Sequence, residues 1–436
     1  MNELPASWVK TALGQVVSYA DNETVDPADM PPEAWLLELE DIERDTGKVL
    51  ERKTVGERAP KSSKNRFQAG DVLYGKLRPY LNKVVRADQD GFCSGEIIAI
   101  SPGLLDKNYL FYSMRSPSFI EYVSSVSHGM RMPRLGTQQA KSAPFVLPPR
   151  AEQTRIAAKL DELLAQVDTL KARTDGIPAL LKRFRQSVLA AAVSGRLTEE
   201  WRFALGAETN WVKASFTEFF DIQGGTQPPK SAFVAEPQPG YVQLVQIRDF
   251  GDKPVPTFVP DSKSLKKFDC DDFLIGRYGA SVGRICTGLS GAYNVALVKV
   301  LVLHPASVYK PFLGVLLRSP RFQSSITGFE RSAQDGFNKG DLSTIEVALP
   351  PLLEQTEIVR RVEQLFAFAD QLEARVKAAQ VRIDRLTQSI LAKAFRGELV
   401  PQDPNDEPAS VLLERIKAQR AAVPKARRGR RAATLS

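Results

Sequence analysis

The sequence has little of what disulfide frameworks, metal sites and histidine chemistry require. It has three cysteines and two histidines among 436 residues. Cys93, Cys270 and Cys286 form neither a close pair nor a CxxC motif, which argues against disulfides and zinc sites and favours free thiols in a reducing cytoplasm. His128 and His304 are far apart in the chain, so a histidine-based metal site or catalytic triad is not expected.

Long hydrophobic runs and the motifs of common DNA enzymes are also missing. Residues 1–10 contain no apolar stretch of the kind found in secretory signals. The strongest apolar run, 295–303, is interrupted by Lys299 and is too short to cross a bilayer, so we interpret it as a buried strand and expect no membrane association. We find no P-loop, no Asn/Asp-Pro-Pro-Tyr methyltransferase motif and no clustered nuclease centre. The chain is therefore expected to be non-catalytic and to need no cofactor.

An excess of positive charge is present. The formal net charge is +8. Lys and Arg side chains favour a polyanionic partner because they release counterions from phosphates. Many basic proteins bind no nucleic acid, so the charge suggests DNA or RNA without deciding the question.

The chain repeats itself with a nearly constant offset. Leu-Pro-Pro-Arg-Ala-Glu-Gln at 147–153 returns at 349–355 as Leu-Pro-Pro-Leu-Leu-Glu-Gln, 202 residues later. This period is too long for a solenoid and instead suggests a covalent pseudo-dimer with pseudo-twofold symmetry. Other repeated segments are 186–189 with 388–391, 8–10 with 211–213, and 115–117 with 318–320.

The repeat divides the chain into alternating globular and helical segments. We expect a first globular domain, a first helical spacer, a second globular domain, a second helical spacer and a tail. In the tail, 411–416 is amphipathic and predicts a docking helix, whereas the basic stretch 425–431 is interpreted as a disordered arm that touches phosphates or as an unused solvated tail. The boundaries are 1–146, 147–200, 201–348, 349–400 and 401–436.

Each helical segment carries an apolar stripe with alternating steps of four and three, a heptad rhythm. Two stripes in one chain can bury each other, which predicts an antiparallel intrachain coiled coil; the alternative is that each helix packs on its own globular domain. Gly176-Ile177-Pro178 predicts a kink or split in the first helix, whereas the second should run straighter. The first stripe is Ile156, Leu160, Leu163, Val167, Leu170, Thr174, Ile177, Leu181, Phe184 and Val188, and the second is Ile358, Val362, Leu365, Ala369, Leu372, Val376, Ala379, Ile383, Leu386 and Ile390.

The globular segments have short apolar runs separated by Gly, Pro, Asp and Asn, which predicts strand-rich α+β domains with exposed loops. Some loop residues suit DNA readout, because Arg can bind guanine bidentately, Gln or Asn can bind adenine, and Lys can hold phosphates. For each of them a solvated loop side chain is the alternative. Segment 223–227 is predicted to be a flexible polar loop, and 131–134 aligns roughly with 336–339. The candidates are Lys76, Arg78, Tyr80, Arg131 and Arg134 in the first domain, and Gln223, Thr226, Gln227, Lys230, Arg277, Tyr278, Ser281, Asn338 and Lys339 in the second.

The paired Leu-Pro-Pro-x-x-Glu-Gln motifs, and the helix-closing segments 186–197 and 388–399, resemble the specificity subunit of type I restriction–modification systems. The resemblance covers nearly the whole chain and rests on the repeated motifs. It implies that each globular domain is a target-recognition domain, which reads one half of a split site on double-stranded DNA. It also implies that the helices set the spacing and dock two methylation subunits, which a translocating restriction subunit can join. Methyl transfer from S-adenosylmethionine and DNA cleavage would belong to those partners.

Two other functions stay open at this point. One is a self-contained DNA methyltransferase or nuclease with an unrecognised active site. The other is a coiled-coil adaptor that never reads DNA.

Overall fold

In a computed structural model, the chain forms two compact units that are not consecutive in sequence. The structure describes residues 4–127, 129, 131–206, 210–329 and 336–422. The first unit combines Met1–Thr174 with Ala378–Ser436, and the second is Asp175–Lys377. His128 and the basic stretch 425–431 lie outside the described residues. None of the helices in the described ranges is long and apolar enough to traverse a bilayer.

The first globular domain is built from short strands and helices, as the alternation of apolar runs and turn residues predicts. Its sheets have the strand orders β2-β5-β8-β3-β4 and β7-β6-β9, and β1 pairs with β10. Strands β3 and β8 run parallel, with Leu37 opposite Cys93. The strands are β1 (Val9–Ala12), β2 (Thr24–Val25), β3 (Trp35–Leu37), β4 (Lys53–Thr54), β5 (Lys64–Phe67), β6 (Val72–Gly75), β7 (Val84–Arg86), β8 (Gly91–Cys93), β9 (Ile97–Ile100) and β10 (Pro144–Leu147); the helices are α1 (Leu13–Val16), α2 (Val55–Arg58), α3 (Lys107–Ser113), α4 (Pro117–Val126) and α5 (Thr137–Lys141).

The Leu-Pro-Pro motif ends β10 and precedes a long helix that is split where the sequence predicts. Helices α6 (Arg150–Asp175) and α7 (Ile177–Val193) are separated by Gly176 alone. Pro178 stands in the first turn of α7, where a missing N–H removes no helical hydrogen bond. The Leu180 amide donates to the Gly176 carbonyl across 3.3 Å, which closes the first turn of α7.

The second globular domain repeats the architecture of the first. Its sheets have the orders β14-β13-β18-β15 and β12-β19-β16-β17, and β11 pairs with β20. The parallel pair recurs as β13 and β18, with Val245 opposite Tyr293. The elements are α8 (Glu199–Leu205), β11 (Val212–Ser215), α9 (Phe216–Phe219), β12 (Phe220–Gly224), β13 (Tyr241–Val245), β14 (Phe258–Pro260), β15 (Lys267–Phe268), β16 (Leu274–Gly276), β17 (Ile285–Cys286), β18 (Gly291–Tyr293), β19 (Leu297–Val302), α10 (Lys310–Arg318), α11 (Pro320–Thr327), α12 (Lys339–Ser343) and β20 (Glu346–Leu349).

Two helices complete the chain. Helix α13 (Leu352–Ala394) runs through 43 residues without the interruption seen between α6 and α7. Helix α14 (Ala409–Ala422) contains the predicted amphipathic segment. Its Leu412, Leu413 and Ile416 are buried in the core of the first unit, so the predicted docking helix docks on the chain itself.

Ion pairs and hydrogen bonds show that the helices of each unit run antiparallel. In the first unit, residues late in α6 meet α13, and residues early in α6 meet the chain beyond α13. In the second unit, α7 and the chain after it meet progressively earlier parts of α13. The pairs are Lys171–Asp384 (3.1 Å) and Arg155–Asp406 (2.6 Å) in the first unit, and Arg185–Asp370 (2.6 Å) and Arg361 with the Leu197 carbonyl (2.9 Å) in the second.

Burial along the two apolar stripes distinguishes residues that pack on a globular domain from residues that pair the helices. Both stripes lie wholly in the described residues, and only Leu170 and Leu386 among their members are exposed. The first members of each stripe pack on the globular domain that precedes their helix. The predicted alternative, in which a helix packs on its own domain, therefore applies to the first turns of α6 and α13. The middle members are buried outside both globular cores, which confirms the predicted helix pairing. The first group is Ile156, Leu160, Ile358 and Val362, and the second is Val167, Ile383, Leu181 and Ala369.

Buried carboxylates anchor the start of each domain to the helix that follows it. Glu152 and Glu354 lie in the first turns of α6 and α13, where a carboxylate complements the positive end of the helix dipole. Both are buried, and each accepts a hydrogen bond from a tryptophan that precedes the first strand of its domain. The indole of Trp8 donates to Glu152 (2.8 Å) and that of Trp211 to Glu354 (3.0 Å).

Candidate nucleic-acid interface

In the first domain, the structure brings the two candidate segments together. Leu77 forms an isolated antiparallel bridge with Arg134. The Arg78 amide donates to the Pro133 carbonyl (2.7 Å), and the Lys76 carbonyl accepts from the amide of residue 135 (2.9 Å). The predicted candidates of this domain therefore lie on one continuous stretch of surface.

The side chains of this stretch differ in availability. Tyr80 is 50% exposed and Arg131 is exposed, and neither makes a side-chain hydrogen bond with the described residues. The Arg134 guanidinium donates two hydrogen bonds to the Glu96 carboxylate, at 3.0 and 3.2 Å, which raise the pKa of Arg134. Contact between Arg134 and DNA would thus compete with an ion pair, whereas Tyr80 and Arg131 have no such competitor.

The loops after β6 and β16 have left-handed backbone conformations at two matching positions, but different residues occupy them. Arg78 (φ 50°) and Asn82 (φ 48°) are left-handed, and the matching Gly279 (φ 54°) and Gly283 (φ 79°) are left-handed too. This conformation costs a residue other than glycine about 1–2 kcal/mol. The Nε of Arg78 is also buried without a partner among the described residues. The first domain therefore carries an unfavourable side chain where the second has glycine, which suggests a role beyond folding.

In the second domain, the segment that begins at Arg277 meets two other loops. The Arg277 amide donates to the Ala296 carbonyl (2.9 Å), and its Nε donates to the Phe337 carbonyl (3.1 Å). The guanidinium also lies 5.2 Å from the ring centroid of Tyr278. Arg277 and Tyr278 are half-buried, with polar atoms left for a ligand.

The prediction of a flexible loop at 223–227 is wrong at its start. Gln223 lies within β12, opposite Lys299 of the longer, apolar β19. The Tyr293 hydroxyl donates to the Gln223 carbonyl (3.0 Å) and side-chain oxygen (3.2 Å). Pairing with a distant strand therefore overrides the turn preference of Gly224. Only after β12 does the chain turn, where the Thr226 amide donates to the Tyr293 carbonyl (2.9 Å).

The rough alignment of 131–134 with 336–339 also needs correction. Asn338 immediately precedes α12, as Gly136 precedes α5, so the segment that matches 336–339 is 134–137. The Asn338 side chain accepts from the Asp341 amide (3.1 Å) and thereby caps α12. The rough alignment missed the cap because it matched basic residues and not the helix start.

Several second-domain candidates have partners within the protein. The Lys339 ammonium lies 2.7 Å from Asp221, and its hydrogen bond lowers the pKa of that carboxyl. The Ser281 hydroxyl donates to the Tyr278 carbonyl (2.7 Å), and the Thr226 hydroxyl accepts from the amide of residue 266 (3.2 Å). Gln227 and Lys230 are exposed, and no contact in the described residues joins Lys230 to the other candidates.

The pKa values of the matching carboxylates before β6 and β16 are shifted in opposite directions. Burial raises the pKa of Asp71, with a hydrogen bond from the amide of residue 68 opposing the shift. Burial acts in the same sense on Asp272, but hydrogen bonds from Lys310 (2.7 Å) and Lys299 (3.2 Å) outweigh it and lower the pKa. The two domains therefore share a turn but differ in its electrostatics.

Sequence reasoning missed the polar residues at the carboxyl ends of the parallel strand pairs. These are Glu38 and Ser94 in the first domain and Gln246 and Asn294 in the second. In the first domain, both residues line a cavity of about 550 Å³. The usable signal was a polar residue directly after an apolar strand, since parallel strands often present ligand sites at their carboxyl ends.

Thiols and carboxylates do not assemble into a metal site in the described ranges, where no group of three or more His, Cys, Asp or Glu is gathered for one. Cys93, Cys270 and Cys286 are unpaired. Burial raises the pKa of the Cys93 thiol to about 12 and of the Cys286 thiol to about 11.

The duplicated domains and their helices define a class of protein. Two segments, 13–179 and 208–380, match the type I restriction modification DNA specificity domain. The chain belongs to the family of type I restriction–modification specificity subunits, the non-catalytic part of the complex that confers DNA target specificity. The relatives described next are each named as the specificity subunit of a type I restriction enzyme.

Individual relatives agree with this family. The chain is 36% identical to the type I restriction enzyme EcoKI specificity subunit of Escherichia coli (strain K12), with 73% of each chain covered. It is 34% identical to the EcoBI specificity subunit of Escherichia coli, with 74% of each covered. Among solved structures, it is similar to the HsdS subunit of Thermoanaerobacter tengcongensis, with 25% identity, a TM-score of 0.60, and 91% of this chain and 98% of that chain covered.

Proposed function

We propose that this chain reads a two-part site on double-stranded DNA, one half with each globular domain, and brings methylation and restriction subunits to that site in the cytoplasm. The observation that carries the proposal is the combination of matching scaffolds with dissimilar surfaces. Both domains share a parallel strand pair and the same tryptophan–glutamate anchor, yet their candidate loops differ at almost every position. Two copies of one reader would explain the shared scaffold, and two different half-sites would explain the divergence.

The helices supply the spacing in this proposal. Helix α13 has 43 residues, which corresponds to about 65 Å at 1.5 Å per residue. Two weak readers joined by a stiff spacer gain affinity for DNA whose half-sites lie at the matching distance. The base pairs between the half-sites would stay unread.

Different candidate residues would serve different parts of recognition. Lys76, Arg131 and Lys230 suit phosphate contacts, because a lysine or a solvated arginine acts mainly as a positive charge. Arg277 suits a base contact because a backbone carbonyl holds its Nε, and Arg78 suits one because its Nε has no partner among the described residues. A guanidinium can bind guanine bidentately.

Partner binding would use the long helices. We propose that two methylation subunits dock along them and that a translocating restriction subunit joins this assembly. Support comes from apolar side chains that remain open at the start of α13 and in α8. Leu353 is 78% exposed and Phe203 is 88% exposed, and a partner that covered them would remove their apolar surface from water.

The experiment is a selection of random-sequence duplexes by the full chain together with its methylation subunits. The expected product is a site with two defined parts and an undefined gap. Replacing 1–146 with the first domain of another specificity subunit should then change one part and leave the other as it was. A change in both parts would contradict the modular assignment, and failure to enrich any sequence would favour an adaptor.

A second assay tests whether the chain has its own activity. The purified chain, without partners, is incubated with labelled S-adenosylmethionine and DNA. We expect no methyl transfer. Transfer in the absence of the methylation subunits would indicate a self-contained enzyme and would contradict the proposal.

A further inference from the structure

The carboxyl ends of β13 and β18 gather polar side chains in the second domain. Val245 lies opposite Tyr293, so Gln246 and Asn294 come side by side one residue later, and the Asn294 amide donates to the Val245 carbonyl (3.2 Å). Asp249 belongs to the same group, because one of its carboxylate oxygens accepts from the Gln246 backbone amide (2.8 Å). Three polar side chains therefore meet where the parallel strands end.

Protein atoms of the described residues do not supply hydrogen-bond partners for every polar atom of this group. Gln246 Nε2, Asp249 Oδ1 and Asn294 Oδ1 are buried and have no hydrogen-bond partner among the described residues. The nearest charge is Arg248, whose Nε is 4.0 Å from the Asp249 oxygen, beyond hydrogen-bond range. Buried polar atoms are almost always paired in native proteins, so three unpaired atoms in one place call for a ligand or another functional reason.

The equivalent place in the first domain is occupied differently. There, Glu38 and Ser94 follow the parallel pair β3 and β8. The Lys64 ammonium donates to Glu38 (2.9 Å), so this carboxylate is held by an internal ion pair. Both residues line the cavity of about 550 Å³ described above. The site is thus concave and charged in the first domain, whereas in the second it carries two amide groups, each with one buried atom that has no partner among the described residues.

The loops around Asn294 are candidate DNA-contacting segments. Thr226 pairs with the backbone of Tyr293, directly before Asn294, and Arg277 pairs with the backbone of Ala296, two residues after it. The Asn294 side chain is half-buried and makes no hydrogen bond with the described residues. It can therefore turn toward a ligand without breaking an internal bond.

We propose that Asn294, with Gln246 beside it, binds the edge of an adenine in the second half-site. A carboxamide offers one donor and one acceptor, which match the N7 acceptor and N6 amine of adenine in the major groove. The inference rests on the proposed function and deepens it, because it names residues that determine one position of the recognised sequence.

The test compares Asn294→Ala and Asn294→Asp with the unmodified chain in the duplex selection. The adenine preference at one position of the second half-site should fall about 10- to 100-fold in Asn294→Ala. Asn294→Asp has almost the same shape but presents only acceptors, so the preference should move toward cytosine, whose N4 amine donates. The first half-site should stay unchanged in both variants. Gln246→Ala should relax the same position or its neighbour.

Controls separate this inference from the broader proposal. Gln419→Ala removes an exposed amide on α14, outside the proposed DNA and methylation-subunit surfaces, and should leave both half-sites intact. Thermal unfolding of each variant checks folding, and Asn294→Asp carries the test if the alanine variant does not fold. If the unmodified chain enriches no sequence, the proposed function fails. If it enriches a two-part site whose second half contains no adenine, or whose second half is unchanged in both Asn294 variants, only the adenine assignment fails.

Discussion

Replacing Arg78 should separate stability from DNA recognition. Arg78 has a φ of 50°, and the matching Gly279 has a φ of 54°. Alanine at Arg78 would keep the backbone cost of about 1–2 kcal/mol, whereas glycine would avoid it and lose about 0.5–1 kcal/mol through the greater entropy of its unfolded chain. Arg78→Gly should therefore be more stable than Arg78→Ala by about 0.5–1 kcal/mol. It should be no less stable than the unmodified chain, because it also removes the unpaired Nε.

Recognition should respond in the same way to both Arg78 substitutions. Each removes the guanidinium, so each should weaken the preference at one position of the first half-site by about 1–3 kcal/mol. The assays are urea unfolding of the full chain and the duplex selection. Gly279→Ala is the reciprocal control, because an added Cβ there meets nothing within 4 Å and should only impose the backbone cost. An Arg78→Gly variant that unfolds more easily than Arg78→Ala would refute the strain argument, and one with an unaltered first half-site would refute the role in recognition.

Two further predictions concern acid stability and the domain anchors. The pKa of Asp272 is lowered in the folded chain, so the stability that its carboxylate contributes is present above the unfolded pKa and is lost as the pH falls through the folded pKa. The pKa of Asp71 is raised, so its ionised carboxylate destabilises the folded chain above the folded pKa, and this destabilisation disappears as the pH falls. In urea unfolding from pH 7 to about pH 2, Asp272→Asn should lose its disadvantage toward acid and Asp71→Asn should lose its advantage; shifts of the same sign would contradict the assignment. Trp211→Phe removes a donor from the buried Glu354 and should destabilise the chain by about 1–3 kcal/mol, with Trp8→Phe as the matched variant of the first domain; an unchanged midpoint in both would show that the anchors do not contribute.

Local periodicity was enough to predict the duplicated plan and the main elements. The apolar run 295–303 contains β19, the two stripes lie on α6, α7 and α13, and the split falls beside Pro178. These features depend on residues that are neighbours in the sequence, and the physical rules for helices and strands act at that range.

Long-range contacts could not be predicted from such patterns. The bond between Trp8 and Glu152 spans 144 residues, and Gln223 is drawn into a strand by β19, more than seventy residues away. The same limit applied to the candidate site. Asn294 and Gln246 become neighbours only through the parallel pairing of β13 and β18, whereas basic loop residues attract notice by their type alone.

The distance between the two half-sites should follow the length of the helices, and a matched insertion in both helices tests this. One heptad is inserted into α6 after residue 170 and another into α13 after residue 384, where Lys171 and Asp384 pair at 3.1 Å. Seven residues add about 10 Å of helix, which corresponds to about three base pairs at 3.4 Å each. If the helices set the spacing, duplex selection should yield the same two half-sites with a gap longer by about three base pairs. The same half-sites with an unchanged gap would show that the helices do not set the distance.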